Sequence, residues 1–282
     1  MTDGGTLFVV ATPIGNLGDI TLRALETLRA VPLIAAEDTR LTRRLLDRHA
    51  IDVPMTPFHA KSGPGRMEAL LAHLRGGGDL ALVSDAGTPL VSDPGGELVA
   101  AWAGEGGTVV ALPGASAVLA AVAVSGVAGP HWTFEGFLPR SGRERRDRLA
   151  RIAADERGAI LFEAPNRVSG TLRDLVAACG EERPAGVCRE LTKLHETVTR
   201  GTLGELASAA ASGEIPARGE FVLVVGSWGG TRAREKQPES LDAARAEVER
   251  LVAAGTPRSE AARTVAATTG LPRRDLYAAR PD

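Results

Sequence analysis

The sequence predicts an α/β protein: a mostly parallel sheet in the first half, and a mixed, partly antiparallel sheet in the second. Three observations predict it. Short apolar runs alternate regularly with helix-patterned segments. Those runs end in small, polar, Gly- and Pro-rich loops, as buried parallel strands do. At 282 residues, 44% hydrophobic and 24% charged, the chain is long enough for two medium-sized cores. A formal net charge of −2 excludes a uniformly basic nucleic-acid coat, so any RNA contact must use a local patch. Lysine is confined to Lys61, Lys193 and Lys236, and the positive charge is otherwise arginine. Cys179 and Cys188 are too few for a disulfide framework or a zinc site and fit a reducing compartment. No basic segment leads into an apolar stretch at the N-terminus, so a cytoplasmic location is expected. Residues 109–129 are uncharged, but Pro113 and Gly114 interrupt them and alanine supplies much of the rest, which reads as strand, turn and buried helix rather than a membrane span.

In chain order, residues 6–11 read as a strand, 12–19 as a Gly-containing loop, and Leu22, Leu25 and Leu28 mark a helix. The loop is neither a GxGxxG fingerprint nor a Walker loop, but it can present backbone N–H groups to a ligand. Residues 33–36 form a second strand ending in Glu37, Asp38, Thr39 and Arg40, before a helix with Leu41, Leu45 and Leu46. Asp38 or Thr39 caps that helix, or the cluster faces a ligand. Residues 55–65 read as a loop and 67–75 as a helix. Strand 80–83 breaks into a loop at 84–95 that gathers Ser84, Asp85, Gly87, Thr88, Ser92, Asp93 and Gly95. Ligands in open α/β sheets bind at such carboxyl ends, although a plain connection capping the next helix at Gly95 is the alternative. A helix through Trp102, a strand at 108–112, a turn at 113–116 and a small-residue helix at 117–124 complete the first half.

Past a boundary at 125–131, a strand at 133–137 leads into the most basic stretch, Arg140, Arg143, Arg145, Arg146, Arg148 and Arg151 against Glu144 and Asp147. It is either a solvated helix face or a phosphate-binding surface. Strands at 159–162, 186–188, 196–200 and 221–225, with helices through Ala178 and at 203–211, form the second sheet. The predicted division is 1–126, 127–228, a polar linker at 229–240, and 241–282, three short helices resembling a helix-turn-helix unit or a packing appendage.

Seven segments in register resemble one family: residues 10–21, 35–40, 83–89, 92–95, 112–117, 134–139 and 189–193. They are similar to the bacterial rRNA small subunit methyltransferase I family, the 16S rRNA (cytidine-2'-O)-methyltransferases, within the tetrapyrrole methylase superfamily. The resemblance implies two α/β domains of the class III methyltransferase type, with S-adenosylmethionine in the cleft between them, and a homodimer acting on 16S rRNA or the small ribosomal subunit. Carried over by position, the cofactor would touch Pro13, Asp85, Thr88, Ser116, Ala117, Phe162, Glu190 or Leu191, and Glu220. The implied reaction places a methyl group on a ribose 2'-oxygen without a metal. A carboxylate at the cleft is then the natural base, Asp38 or Glu163 by location, with Glu37 close behind. Arg40, Arg43, Arg44, Arg140, Arg143, Arg145 and Arg146 would hold phosphates. The chain departs from the family at 162–167, where Phe162, Ala164 and Asn166 replace a usual Tyr, Ser and His, and after His59, where Ala60, Lys61 and Ser62 replace a His-rich acidic stretch. The rivals are a tetrapyrrole C-methyltransferase on the same fold and a non-catalytic RNA-binding protein. A dinucleotide oxidoreductase is disfavoured by the missing fingerprint.

Overall fold

The structure, a computed structural model, describes residues 4–227, 241–269 and 271–277. The predicted linker at 229–240 lies outside them. In the first sheet β1 (Thr6–Val10), β2 (Leu33–Ala36), β3 (Met55–Pro57), β4 (Leu80–Val83) and β5 (Thr108–Leu112) run parallel in the order β3-β2-β4-β1-β5. Every residue of β4 is buried, which is why it reads as an unbroken apolar run. Val10 lies opposite both Val83 and Leu112, and Ala36 opposite Val83, so the loops after β1, β2, β4 and β5 emerge along one edge. The segment expected to be a loop at 55–65 begins instead as β3. Its three residues pair with β2 at the sheet margin, where Pro54 before the strand and Pro57 at its end are tolerated, and pairing of this kind leaves no periodic signal.

Helices α1 (Leu22–Ala30), α2 (Thr39–Arg48), α3 (Pro64–Arg75), α4 (Gly96–Gly104) and α5 (Ala117–Ser125) connect these strands. Thr21 caps α1 by accepting from the Ala24 amide at 3.2 Å. One face of the sheet buries Leu25, Leu28, Ile34 and Leu46, and the other Leu71, Leu74, Leu98 and Trp102. Residues 109–129 resolve into β5, a turn and α5, and no helix among the described residues is long and apolar enough to cross a membrane.

The second sheet contains β6 (Trp132–Phe137), β7 (Gly158–Glu163), β8 (Pro184–Arg189), β9 (Thr197–Thr202) and β10 (Phe221–Val225) in the order β6-β7-β10-β8-β9. The β6/β7 pair is parallel, and the other pairs are antiparallel. Helices α6 (Gly142–Ala154), α7 (Val168–Cys179) and α8 (Leu203–Ser212) cover one face through Leu149, Ile152, Leu172, Leu175 and Leu206. A reciprocal box between Thr202 and Glu205 starts α8. The opposite face is covered by α5, whose Val118 and Ala121 join Ile160, Cys188, Val222 and Val224 in one core. The helix carries no charged residue, and Leu119 on it stays exposed. Residues up to Ser227 accordingly form one compact unit.

The C-terminal unit is made of α9 (Leu241–Ala253), α10 (Arg258–Thr269) and α11 (Arg273–Tyr277) around Ala244, Val248, Ala261, Val265 and Leu276. Arg245 ties it together by donating to the Asp275 carbonyl at 2.9 Å.

Candidate active site

The loops after β1 and β4 are joined first. Gly87 and Thr12 exchange backbone hydrogen bonds of 2.8 and 3.0 Å. Gly87 has φ +81°, and a Cβ there would also press on Ile14 Cγ2 at 3.2 Å, so this joint requires glycine. Between these loops, the start of α5 and the edge of the second sheet lies a cleft of about 440 Å³. Its apolar walls include Phe137, Phe162, Leu191 and Val222. Phe162 is wedged edge-on against Phe134 and Phe137, with ring centroids 5.0 and 5.6 Å away. Its polar lining contains Glu37, Asp85, Asp93, Glu163 and Glu220, and no Lys, Arg or His among the described residues.

The carboxylates are interlocked. Asp85 accepts from the Asp38 amide at 2.8 Å, and Glu37 from the Asp85 amide at 3.3 Å, which ties the ends of β2 and β4 together. Burial raises the proton affinity of both Glu37 and Asp85 above the ordinary carboxylate range. Asp93 is pushed up to about 6, chiefly by burial and further by the negative charges of Glu37 and Asp85. The Ser84 hydroxyl beside it opposes the rise, although it is not aligned into a hydrogen bond.

Of the residues expected at the cofactor, Asp85, Thr88, Ser116, Ala117, Phe162, Leu191 and Glu220 all line this cleft, whereas Pro13 faces a neighbouring cavity. Glu190 stands outside the lining and works as a brace. Its Oε1 accepts from the Glu220 amide at 2.8 Å and from Lys193 Nζ at 3.0 Å, and the Glu220 contact chiefly lowers its proton affinity. Gly219 (φ +90°) makes room for it, since a Cβ there would lie 2.6 Å from Glu190 Cγ. Ser116 caps α5, and Thr88 donates to the Ala115 carbonyl at 3.2 Å, so both hydroxyls also shape the rim.

The three expected base candidates separate. Asp38 caps α2 and is paired with Arg40 at 2.6 Å, which holds its carboxyl well below the usual range, and it lies outside the cleft lining. The Glu163 side chain is fully buried. Its oxygens accept from Thr171 Oγ1 at 2.5 Å and the Ala164 amide at 2.8 Å, and Arg167 Nε lies 3.2 Å away. Glu37 faces the cleft without an ion pair among the described residues.

The arginines separate as well. Arg145, expected on a phosphate-binding surface, is buried. Its guanidinium donates to Asp174 at 2.9 Å, to the Pro139 carbonyl at 2.8 Å and to Thr171 Oγ1 at 2.9 Å, because α6 turns that face onto α7. Arg140, Arg143 and Arg146 are exposed, Arg143 loosely paired with Asp147 at 3.5 Å. Arg43 lies 3.5 Å from Asp52, and Arg44 points into the neighbouring cavity. Asp93 and Phe137 line the cleft although neither was among the predicted site residues. Asp93 carried a signal in its crowded loop, but Phe137 lies on a strand whose local bulge, between Phe134 and Gly136, is invisible in sequence.

Residues 6–207 match the family described as Tetrapyrrole (Corrin/Porphyrin) Methylases. The chain belongs to this family. Within the tetrapyrrole methylases it belongs with the proteins named Ribosomal RNA small subunit methyltransferase I. It is 48% identical to the one from Synechocystis sp. over 97% of this chain and 96% of that protein, and 42% identical to the one from Haemophilus influenzae over 98% and 97%. Among solved structures it is similar in fold to diphthine synthase (TM-score 0.61, 16% identity, 79% of this chain and 90% of that one). It is also similar to Thermus thermophilus uroporphyrin-III C-methyl transferase complexed with S-adenyl homocysteine (TM-score 0.56, 19% identity, 79% and 97%).

Proposed function

We propose that this tetrapyrrole methylase family member transfers a methyl group from S-adenosylmethionine to the 2'-oxygen of a cytidine ribose in the 16S rRNA of the small ribosomal subunit, as a homodimer in the cytoplasm. The observation that most supports it is the charge of the cleft, whose lining is rich in carboxylates and holds no Lys, Arg or His among the described residues. Such a cleft attracts a positively charged ligand and repels a phosphate. The name carried by the chain's full-length relatives points to ribosomal RNA as the acceptor. The uncharged α5, exposing Leu119, supports assembly with a second copy.

The residues present fit S-adenosylmethionine. Phe162, Phe137, Leu191 and Val222 would provide apolar walls for a purine, and Asp85 and Glu220 would accept from hydroxyl or ammonium groups. When bound, the group supplies a methyl carbon on a positively charged sulfur that departs as a neutral thioether. Glu37 is placed to take the proton from the 2'-hydroxyl. Burial has raised its proton affinity against the opposing charge of His59, and its carboxylate is fixed by the Asp85 amide. The negative charge of Glu37 in turn helps raise the proton affinity of Asp93, whose rise comes chiefly from burial. Alignment of the acceptor oxygen supplies most of the remaining acceleration.

The test is methyl transfer from radiolabelled S-adenosylmethionine to small subunits lacking their native methylation, with the label mapped by nuclease digestion. Label on a cytidine ribose is expected. Cofactor binding without labelled RNA, or label on a tetrapyrrole instead, would overturn the assignment.

A further inference from the structure

Strand β6 lies at the margin of the second sheet and is interrupted by a bulge. Phe134 pairs with Ile160 and Gly136 with Leu161, so Glu135 is left over between them with no partner across the ladder. A strand end of this kind has no neighbour on its outer side, and it frays unless its carbonyls find other donors. Here the donors are guanidinium groups. Arg148 Nη1, on α6, donates to the Glu135 carbonyl at 2.8 Å and reaches the Phe137 carbonyl at 3.4 Å. Arg167 Nη2 donates to the Leu138 carbonyl at 2.7 Å, and Arg145 Nη1 to the Pro139 carbonyl at 2.8 Å.

The segment held in this way presents one large side chain to the cleft. Leu138 is buried, whereas Phe137 lines the cleft and is 52% exposed. Its ring leans edge-on against Phe162 and is otherwise open to the cleft. Gly136 (φ +59°) comes close to the loop after β4, where a Cβ would stand 3.1 Å from Ser92 Oγ. That loop holds two side-chain-bearing residues in the left-handed region, Leu90 (φ +74°) and Ser92 (φ +68°), a conformation kept only where surrounding contacts enforce it. Bulge and strained loop therefore meet at the rim of the cleft, beside Phe137.

Arg145 and Arg167 have other work as well, on Asp174 and Thr171 and on Glu163. Arg148 does not. The carbonyls on either side of Gly136 are its only partners among the described residues. Resting on the cofactor reading above, we infer that Arg148 is a positioning residue for donor binding. It fixes the backbone around the bulge, so that Phe137 stands at the rim already oriented to cover the purine of S-adenosylmethionine. A ring ordered before the ligand arrives takes that ordering cost out of binding. The purine then covers the part of the ring that solvent now reaches, and an aromatic contact adds to the area buried.

The test measures S-adenosylhomocysteine binding by calorimetry on the full chain for Phe137→Ala, Arg148→Ala and the double variant, each well below its unfolding transition. Phe137→Ala is expected to weaken binding about tenfold and Arg148→Ala about threefold to fivefold. The double variant should bind no more weakly than Phe137→Ala alone, because without the ring there is nothing to position. Arg148→Lys should recover most of the affinity, since a single nitrogen makes both bonds. The same fractional loss from Arg148→Ala with and without the ring would reduce Arg148 to a cap on the sheet margin and overturn the inference. Unchanged affinity in either single variant would also overturn it. If the unaltered chain binds S-adenosylhomocysteine but methylates no RNA, the acceptor assignment falls and the role of Arg148 stands. If it binds none, the donor reading falls and the role of Arg148 falls with it.

Discussion

Helices α2 and α6 are both arginine-rich and both read from sequence as phosphate-binding surfaces, yet the structure treats their charges in different ways. On α6, Arg145 is drawn inside to Asp174 and Thr171, and Arg148 donates to the Glu135 carbonyl at 2.8 Å. On α2, Arg40 pairs with its own capping aspartate, while Arg44 stands free at the mouth of a cavity. The lesson is that arginine count does not measure phosphate binding. What decides is whether a carboxylate or carbonyl already lies within reach, and that is set by the element packed opposite.

The contrast breaks first at Arg145. Arg145→Ala removes the donor to Thr171 Oγ1 and to the Pro139 carbonyl and leaves the half-exposed Asp174 without its ion pair, and a loss of about 2–4 kcal/mol in unfolding free energy is expected by calorimetry or denaturant titration. A change under about 0.5 kcal/mol, accompanied by weakened RNA binding, would return Arg145 to the surface role. The converse substitution is Arg44→Glu. Stability should stay within about 0.5 kcal/mol of the unaltered chain, while kcat/KM on small subunits falls about tenfold or more. Equal activity in that variant would erase the distinction between the two helices.

The smallest effect sharpens the same contrast among carboxylates. Asp38 is held ionised by Arg40, whereas Asp93 is raised to about 6, chiefly by burial. The folded state therefore holds the Asp93 proton more tightly than the unfolded chain. Its contribution to stability is present at low pH and is lost as pH rises toward about 6. Binding of a positively charged donor should show the opposite trend. Affinity for S-adenosylmethionine should strengthen as pH rises through about 6, and less so for the neutral thioether S-adenosylhomocysteine. Asp93→Asn should flatten the difference, as read by calorimetry on either side of that pH. Identical pH profiles for the two ligands would remove Asp93 from the donor's electrostatics.

The network around Glu163 shows why the site was only partly legible. Arg145 and Glu163 were predicted for different tasks, one on RNA and one on a proton, but both bond to Thr171 and hold α7 against the end of β7. Nothing in their sequence spacing announces that meeting. By contrast, the loops after β1, β4 and β5 were readable, because strand ends in a parallel sheet must fall on one edge and small residues there have few other uses.

The alternation of strands and helices, the edge where ligands must gather and the family resemblance were all legible along the chain, since these depend on periodicity, turn chemistry and local motifs. It took the folded chain to show that 55–57 pair as a strand, that Phe137 joins the cleft, that Asp93 is buried enough there to hold its proton up to about 6, that Arg145 is internal, and that Arg44 is not. The physical reason is that burial, the availability of a partner and the resulting proton affinity are properties of neighbours distant in the chain, and those neighbours are fixed only when α5 closes one sheet onto the other.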